Sequence, residues 1–416
     1  MANLNAVNIN KGSLGPNRVA DKDAISAILF SAGMATAGLN LDEFSVIYNL
    51  NDAEQLGITA ESDATNQVIM HRHIAEFYAM AGEGTKLYLV ISDALIDVAV
   101  SNVATDLLNF ANGEIKQLAV ANSRATPAFT EATISVVDGL DAKIKTAISS
   151  GQFVAGEAYN NNMPVHIFLE GYNYTGPSNS VLDLRDITDL AATKVSLVIG
   201  QDYDFAEDLT GVNQKFADVG TALGVCAKAK VNENIGDNSQ FNLTEKIKGR
   251  WLQPGLSSHK KLNEVYDDLQ TLEDKGYIFG MTYFGLAGVR FNNDHVCAPI
   301  VFDADNNVNE HTIAYSRTAD KAVRQLRRAY LPRVKTSWEV DSKTGKLSKG
   351  TIVSLQDIGD QVFDDMIQRG EISFGQVKVN PDSDLLVDKV LEVAYTIVPK
   401  GNINEITGTL NLKTKA

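Results

Sequence analysis

The 416-residue sequence has little of what disulfide-bonded, membrane-spanning or nucleic-acid-binding proteins need. Its two cysteines, Cys226 and Cys297, are too few for a disulfide framework, and both stand among apolar residues, which predicts small buried side chains. No stretch reaches the roughly 18 uninterrupted apolar residues of a membrane helix. With a formal net charge of −15, the chain lacks the basic excess that displaces counterions from nucleic acid. We therefore expect neither membrane insertion nor nucleic-acid binding.

Targeting signals are also missing from the start of the sequence. The stretch Met1–Asn5 has neither a basic region nor an apolar run, so no secretion signal is expected and the protein should begin in a cytoplasm. The composition, 44% hydrophobic and 21% charged, is that of a globular protein. At roughly 150 residues per domain, the length predicts two or three domains.

Catalytic and metal-binding patterns are scarce. The six histidines form no known ligand spacing, and the segment Gly82–Lys86 precedes a predicted strand, where a phosphate loop would follow one. One alternative remains at Asp202 and Asp204, which follow an apolar strand at the end where open parallel sheets bind ligands. These carboxylates are either solvated loop acids or the site of an α/β enzyme that binds a small ligand. No cofactor is expected.

Residues 40 to 300 alternate between apolar strands and helical segments, which predicts an α/β region with a mainly parallel sheet covered on both faces. The predicted strands are Phe44–Tyr48, Leu87–Ser92, Ile115–Ala121, Val165–Glu170, Val195–Gly200, Ile278–Phe284 and Cys297–Phe302. The predicted helices are Asn66–Gly82, Ala94–Asn109, Pro127–Ser149, Phe216–Lys230 and Leu262–Lys275. Asp21–Leu39, ahead of them, is expected to be an Ala-rich helical or mixed segment.

The last hundred residues predict a different, α+β arrangement. Pro332 and Gly370 are expected to end two helices, Ala319–Leu331 and Thr351–Arg369. The predicted strands of this region are Val334–Val340, Ile372–Asn380 and Asp388–Val398.

Both chain ends carry short alternating segments with no adjacent partner strand. Val7 and Ile9 alternate with asparagines near the start, and Ile406, Leu410 and Leu412 alternate with polar residues near the end. Such isolated strands need a sheet to lie on. We predict that they pair with neighbouring subunits, and that the sheet containing the strand Asp388–Val398 accepts them. One face of that strand carries Leu391, Val393, Tyr395 and Ile397.

Two charge patterns stand out on the C-terminal helices. The basic stripe consists of Arg317, Lys321, Arg324, Arg327 and Arg328. The acidic stripe consists of Asp357, Asp360, Asp364 and Asp365. The two stripes are either solvated helix faces that attract each other, or surfaces complementary to another subunit or to an enclosed partner.

Four segments in chain order carry a family resemblance. They are the short helix Leu50–Ile58, the helix, Gly-rich turn and strand of Ile74–Val90, the helix Arg317–Pro332, and the closing hairpin and terminal segment Gly370–Leu412. Together they resemble the contractile-tail sheath proteins of bacteriophages and related injection machines. Ala287–Arg290 matches only part of an aromatic, Gly and Ala-Arg-Thr block common in sheaths, so the resemblance is to a divergent sheath-like branch.

The resemblance implies a multi-domain fold, with an outer α/β domain inserted into an inner α+β domain with two extended arms. Residues 1–20 would be the N-terminal arm, 21–40 and 300–400 the discontinuous inner domain, 41–299 the outer domain, and 401–416 the C-terminal arm. The arms would cross to adjacent subunits and add strands to their sheets.

The implied function is structural and not enzymatic. The subunit would form a homo-oligomer of stacked hexameric rings around a tail tube, and contraction would drive the tube through a cell envelope. Other implied partners are the baseplate and tail terminator proteins, and the implied location is a virion tail assembled in the cytoplasm of a bacterial host. The alternatives are another phage structural assembly protein, such as a tube, capsid or surface-layer component, and the α/β enzyme near Asp202 and Asp204.

Overall fold

The computed structural model describes residues 22–124, 133–186 and 191–412. The predicted strand residues Val7 and Ile9 lie outside this part of the chain, as do residues 413–416. Among the described residues, no helix combines the length and the apolar character needed to cross a bilayer.

Eleven α-helices and fifteen strands follow one another along this part of the chain. The α-helices are α1 (Leu50–Gln55), α2 (Ala60–Asn66), α3 (Met70–Ala81), α4 (Ile96–Val98), α5 (Ala104–Phe110), α6 (Ala142–Asn160), α7 (Tyr203–Glu207), α8 (Val219–Lys228), α9 (Leu269–Asp274), α10 (Ile313–Tyr330) and α11 (Lys349–Gln368). The strands are β1 (Ser26–Ser31), β2 (Ser45–Ile47), β3 (Leu87–Ile91), β4 (Gln117–Asn122), β5 (Val136–Val137), β6 (Leu140–Asp141), β7 (His166–Glu170), β8 (Val195–Val198), β9 (Gly200–Asp202), β10 (Pro254–Leu256), β11 (Lys260–Lys261), β12 (Gly280–Tyr283), β13 (Leu286–Phe291), β14 (Ile372–Val379) and β15 (Val393–Pro399). A π-helical turn, Ala99–Val103, joins α4 to α5.

The main sheet has six strands in the order β2-β3-β1-β4-β7-β8. β3, β1, β4, β7 and β8 run parallel, whereas β2 is antiparallel at one edge. The parallel strands are buried along their whole length, and several are continuous apolar runs such as Leu87–Ile91. Runs of this kind are typical of strands covered by helices on both faces. The predicted mixed α/β architecture with a mainly parallel sheet is therefore confirmed.

Helices cover both faces of the main sheet because side chains alternate along each strand. Ala27 and Leu29 of β1 belong to the core that β1 shares with α4, α5 and α6. Ile28 and Phe30 belong to the opposite core, with α3 and α8. On that side α8 lies close against α3, and a Cβ atom on Gly220 would stand only 2.4 Å from the carbonyl oxygen of a residue in α3.

A smaller α+β unit follows the main sheet. β14 and β15 form a two-stranded antiparallel sheet against which α10 and α11 pack. Its small core consists of Ala322, Leu326, Phe363, Met366, Ile372 and Val377. Helix α10 belongs to both units, because Ile313 at its start lies in the main core and Leu326 near its end lies in the small core.

The segment Asp21–Leu39, expected to be helical or mixed, contains β1 at the centre of the main sheet. A short apolar run that is buried on all sides has no periodicity, so the pattern alone does not separate a strand from a helix. β1 pairs with β3 and β4, although residues 21–40 are expected to share a domain with residues 300–400. The division into inner and outer domains stays a prediction.

Two predicted helices differ in extent. The helix predicted over Pro127–Ser149 lies partly outside the described residues, and α6 begins only at Ala142, after the β5–β6 hairpin. Asp138 and Gly139 turn that hairpin with φ angles of 50° and 78°, the arrangement that an Asp-Gly pair favours. The helix predicted over Leu262–Lys275 consists of two 3₁₀ turns followed by the short helix α9.

Two predicted strands are not formed. Cys297–Phe302 contributes only isolated bridges, since Pro299 lacks the backbone N–H that a ladder needs. Val334–Val340 likewise has a single bridge, at Val340. The strand predicted over Ile278–Phe284 is β12, and its partner β13 was not anticipated.

The closing hairpin is shorter than predicted. β15 begins at Val393 instead of Asp388, because the Asp384 carboxylate accepts hydrogen bonds from the backbone N–H groups of Leu386 and Val387. An aspartate that binds nearby backbone in this way favours a loop over a strand.

Candidate assembly surfaces

The β14–β15 sheet leaves one strand edge open. Its pairing runs from Ile372 opposite Pro399 to Val379 opposite Val393. In residues 22–124, 133–186 and 191–412, β15 has no partner strand other than β14. The outer strand of such a sheet presents backbone N–H and C=O groups that another strand can pair with. This edge is a candidate acceptor of a strand.

The side chains of the predicted acceptor face point mainly toward the subunit's own helices. Val393 and Ile397 pack against the small core, and Leu391, just before β15, packs against a neighbouring cluster beneath α11. Tyr395 is half-exposed, with its ring centre 6.0 Å from that of Tyr330 on α10. These contacts hold β15 on α10 and α11. The part of β15 that is open to a partner is therefore its edge and not this face.

Residues 400–412, which we name the C-terminal segment, lie outside any helix or strand. Ile403, Ile406, Leu410 and Leu412 are 79%, 86%, 89% and 96% exposed. No hydrogen bond joins this segment to the rest of the described chain. Burying an apolar side chain of this size contributes roughly 1.5–3 kcal/mol, so the segment would gain stability by covering these residues on a partner.

A cavity of about 940 Å³ separates the start of the C-terminal segment from the main body. Lys400–Glu405 forms one wall, and the loop of residues 232–239, α9 and β12 form the other. The body wall is mixed, with polar side chains such as Glu233 and Asp237 beside apolar ones such as Leu269 and Met281. Across this cavity the side chain of Ile403 stays 79% exposed, so the segment is not packed on its own subunit at this place.

The basic stripe of α10 divides into a buried and an exposed part, which corrects the expectation of one continuous charged surface. Arg317 is buried and donates to the backbone carbonyl oxygens of Ala229 and Lys230. Arg327 and Arg328 are exposed, and their side chains have no ion pair or hydrogen bond with any described residue. Only these last two can meet another molecule.

In the middle of the basic stripe, Lys321 and Arg324 bind two carboxylates, which belong to Asp23 and Glu371. Lys321 Nζ lies 2.5 Å from Asp23 Oδ2 and 2.6 Å from Glu371 Oε1, and Arg324 Nη2 lies 2.8 Å from Asp23 Oδ1. Burial alone would raise the pKa of Asp23, but the nearby Lys321 and Arg324 cations outweigh it and lower that pKa. No sequence spacing reveals this cluster, because its acidic members lie at opposite ends of the chain.

The acidic stripe of α11 is exposed at Asp357, Asp364 and Asp365. Asp360 instead accepts a hydrogen bond of 2.9 Å from the backbone N–H of Val377, which ties α11 to β14. Among the described residues no ion pair links the two stripes. An attraction between the stripes within one subunit therefore involves no direct ion pair among these residues and stays a prediction.

Asp202 and Asp204 have different surroundings and different partners. Asp202 is fully buried and accepts hydrogen bonds of 2.9 Å from the Arg72 guanidinium and from the Trp251 backbone N–H. Asp204 stands in the first turn of α7 and shares none of these bonds. Across the described ranges, no cluster of three or more His, Cys, Asp and Glu residues is placed to hold a metal ion.

At the carboxyl edge of the main sheet, the ends of β4 and β7 are joined by a buried carboxylate. At the end of β7, Glu170 lies 2.6 Å from the guanidinium of Arg124 and accepts a 2.6 Å hydrogen bond from the backbone N–H of Asn122. The same carboxylate accepts a further bond from the N–H of Ala217, ahead of α8. Glu170 therefore binds the protein's own groups at the edge where open parallel sheets bind ligands.

Solved structures with the same fold include two sheath proteins and a chain of a baseplate. The helical sheath of the anti-feeding prophage in its contracted state shares 14% identity and a TM-score of 0.60, over 99% of each chain. A chain of the six-fold symmetrised anti-feeding prophage baseplate shares 13% identity and a TM-score of 0.59, over all of each chain. The sheath tail protein from Desulfitobacterium hafniense shares 10% identity and a TM-score of 0.51, over 95% of this chain and all of that one. The predicted resemblance to sheath proteins is confirmed at the level of the fold.

The sequence itself matches two consecutive family models. The N-terminal domain of DUF2586 matches residues 4–295, and the C-terminal domain of DUF2586 matches residues 311–416. No curated protein matches the sequence. Because the two family models together match nearly the whole sequence, the chain belongs to the DUF2586 family.

Proposed function

We propose that this protein is a non-enzymatic structural subunit of a contractile tail sheath, which polymerises as stacked hexameric rings around a tail tube. One observation carries the proposal: the fold agrees with that of the contracted anti-feeding prophage sheath over 99% of both chains.

The chain ends join the subunits in this proposal. Residues 401–416 are the C-terminal arm, which adds a strand to the open edge of β15 in a neighbour, with Ile406, Leu410 and Leu412 setting the register. Residues 1–20 are the N-terminal arm, in which Val7 and Ile9 play the same part. Main-chain hydrogen bonds give such contacts their affinity, and alternate side chains fix the register. Because each contact is heterologous, it propagates as a helical polymer unless it closes into a ring.

The tube, the baseplate and the tail terminator are the other proposed partners. The inner domain of residues 21–40 and 300–400 surrounds the tube, which the exposed charges of α10 and α11 meet through complementary charge. Those exposed charges are Arg327, Arg328, Asp357, Asp364 and Asp365. Contraction is a rigid-body rearrangement of subunits that stay tethered by their arms. The sheath is assembled in the host cytoplasm and becomes part of the virion tail.

A second candidate is a sheath-like protein that forms a single ring at the baseplate. The likeness to a chain of the anti-feeding prophage baseplate, over the whole of both chains, favours it. The two candidates differ in the length of the assembly, because a sheath subunit adds further rings and a baseplate subunit stops at one.

Electron microscopy of the purified protein tests the proposal. Tubes of uniform diameter are expected across a range of salt and protein concentration, and rings alone would favour the baseplate candidate. Monomers that persist under all of these conditions would overturn both. Deletion of residues 403–416 should abolish the tubes with little change in Tm, because the deleted apolar side chains that the structure describes are 79–96% exposed.

A matched pair of variants separates the two faces of the C-terminal segment. Replacing Ile406, Leu410 and Leu412 by Asn should prevent assembly, since these residues would face the acceptor sheet. Replacing Thr407, Thr409 and Asn411 by Ala on the opposite face should leave assembly intact. Equal effects of the two triple variants would contradict a strand with one buried face.

A further inference from the structure

Helix α10 links the main body to the C-terminal unit. Its first half binds the body: the Ala314 N–H donates to Asp294 over 3.0 Å, and Asp320 lies 2.6 Å from the ammonium of Lys194. Its second half contributes Ala322 and Leu326 to the small core against β14. A displacement of one unit therefore has to pass through the middle of this helix, or bend it, to reach the other unit.

Lys321 stands at that midpoint and bridges the two ends of the chain. On one side Lys321 binds Asp23, which stands three residues before β1. The backbone carbonyl oxygen of Asp23 also accepts a hydrogen bond from Gln117 of β4. On the other side it binds Glu371, the residue immediately before β14. The side chains of Asp23, Lys321 and Glu371 are 14%, 10% and 5% exposed.

The described part of the chain begins beside this bridge, and the C-terminal segment starts close to it. Asp23 lies next to Lys22, where the described chain begins. Glu371 precedes Ile372, which pairs with Pro399, and the exposed C-terminal segment starts at the following residue, Lys400. One lysine thus connects the roots of the N-terminal and C-terminal arms.

We propose that the cluster of Asp23, Lys321 and Glu371 is a common anchor that holds the roots of both arms at a fixed spacing. The inference rests on the proposed function, because the spacing matters only if the arms join neighbouring subunits. A fixed spacing sets the distance between the neighbours that the two arms reach, and so makes every subunit in a polymer repeat the same geometry. Lys321, Asp23 and Glu371 are positioning residues, which act through the arms that they hold.

The chemistry of the cluster makes it an anchor and not a loose contact. A partly buried ammonium between two carboxylates is held from both sides, and it is the cation that the two carboxylates share. Its removal leaves Asp23 with Arg324 and Glu371 with Arg369, so each carboxylate keeps a cation that the other does not contact. The roots then lose their shared contact while the hydrophobic cores on either side remain. Exposed ion pairs, by contrast, contribute little to position or stability.

Distance measurements between spin labels at the two roots test the anchor directly. Labels at Lys22→Cys and Gly401→Cys flank the cluster, a side chain at position 401 has open space around it, and Cys226 and Cys297 are buried away from the reagent. The wild-type cluster should give one narrow distance distribution. Lys321→Met should lose that narrow peak, whereas Lys321→Arg, which keeps the charge between the carboxylates, should retain it.

Control variants remove the ambiguity of a misfolded protein. Lys346→Met breaks the exposed ion pair with Asp382 in the same unit and should leave the narrow peak unchanged. Asp23→Asn is almost isosteric and keeps the bond between Lys321 and Glu371, so it should broaden the distribution even if Lys321→Met fails to fold. A narrow peak that persists in every folded variant of the cluster would overturn the anchor.

Electron microscopy of the same variants separates this proposal from the sheath function. Tubes of variable diameter or symmetry from Lys321→Met, beside uniform tubes from the wild type and Lys346→Met, support the anchor. Uniform tubes from the cluster variants with an unchanged label distance refute the anchor and leave the sheath function standing. A wild-type protein that never polymerises, but whose label distance broadens in Lys321→Met, refutes the sheath function and leaves the anchor standing.

Discussion

At the residue scale, the interior of the main body contains an unusually concentrated set of charges around Arg72. Its guanidinium lies 3.2 Å from Glu76, 2.9 Å from Asp202 and 3.5 Å from Asp218, and 4.3 Å from the centre of the Phe205 ring. Burial raises the pKa of Asp218 to about 7, although the cation of Arg72 opposes the shift. Glu76 also has a second cation, Arg250, at 3.0 Å, whereas Asp202 and Asp218 have only Arg72 among the ion pairs of the described residues. Arg72 thereby joins α3 to the start of α7 and of α8.

We expect Arg72→Ala to destabilise the protein by about 3–5 kcal/mol, because it leaves buried carboxylates without their counter-charge. Urea unfolding followed by circular dichroism measures the loss. Lys346→Ala is the control, since its ion pair with Asp382 is exposed and should contribute less than about 1 kcal/mol. Similar losses for the two variants would mean that the Arg72 cluster does not hold these helices together.

The free energy of unfolding should depend on pH because of the buried carboxyl group of Asp294. Its carboxylate accepts a hydrogen bond from the Ala314 N–H, but burial dominates and raises its pKa to about 7, above the roughly 3.9 of an unfolded chain. The folded state then binds the proton more tightly than the unfolded state does. Its contribution to stability is complete below about pH 4 and is lost as the pH rises through 7.

In Asp294→Asn this contribution no longer titrates. The quantity of interest is the free energy of unfolding of the variant minus that of the wild type. We expect this difference to increase by up to about 4 kcal/mol as the pH rises from 4 to 8. Urea unfolding at several pH values measures the difference. A difference between the two proteins that stays constant with pH would show that Asp294 does not titrate in this range.

At the element scale, the C-terminal unit depends on the close approach of α11 to β14. A Cβ atom on Gly375 would lie 2.4 Å from Cγ of Phe363, a ring at the centre of the small core. Phe363 is fully buried and has no open space to move into. The position therefore requires a residue without a side chain.

Gly375→Ala should destabilise the C-terminal unit by about 1–3 kcal/mol, the usual cost of overpacking a core. Hydrogen exchange of β14 and β15 amides, compared with those of the main sheet, localises the effect. Gly401→Ala is the matched control, because a Cβ atom there meets nothing within 4 Å. Unchanged exchange in Gly375→Ala would contradict the packing of Phe363 against β14.

At the scale of the whole molecule, the net charge of −15 acts on every contact between copies. Subunits of like charge repel each other over a Debye length, which is about 30 Å at 0.01 M salt and about 8 Å at 0.15 M. In the proposed sheath, the arms have to overcome this repulsion before they pair. Salt therefore controls assembly through the whole surface and not through one ion pair.

We expect the fraction of protein in tubes to rise as the salt concentration increases from about 0.01 M to about 0.15 M, because the repulsion is screened. Sedimentation at fixed protein concentration measures that fraction. An uncharged solute at matched osmolarity is the control and should have little effect. A fraction that falls with salt would instead indicate that ion pairs between subunits, such as those available to Arg327 and Arg328, dominate assembly.

The candidate surfaces were only partly predictable from the residues that form them. The alternation of Ile406, Leu410 and Leu412 with polar residues indicated a strand without a sheet, and these side chains are indeed uncovered in the subunit. The basic stripe was predicted less well. Helical spacing indicates that residues share one side of a helix, but it does not indicate whether that side is buried or exposed. Arg317 and Lys321 face the body of the protein, whereas Arg327 and Arg328, a few residues later, face solvent.

The sequence by itself determined the features that depend on local pattern. Apolar runs specified most strands of the main sheet, strong periodicity and the stop at Gly370 specified α11, and apolar surroundings indicated that Cys226 and Cys297 are buried. Each of these features can be inferred from residues that are adjacent in sequence, because such residues are buried or exposed together.

Only the tertiary structure decided which distant segments meet. It placed β1 in the middle of the main sheet, joined the ends of β4 and β7 through Glu170, and brought Asp23 and Glu371 to the same lysine of α10. The physical reason is that the hydrophobic pattern of a segment indicates only how strongly its residues are buried. Which distant segment packs against it depends on the shape and charge of both surfaces. The same division applies to the proposed assembly. The alternating pattern of Ile406, Leu410 and Leu412 predicts a strand, and only the packing of subunits would determine which sheet receives it.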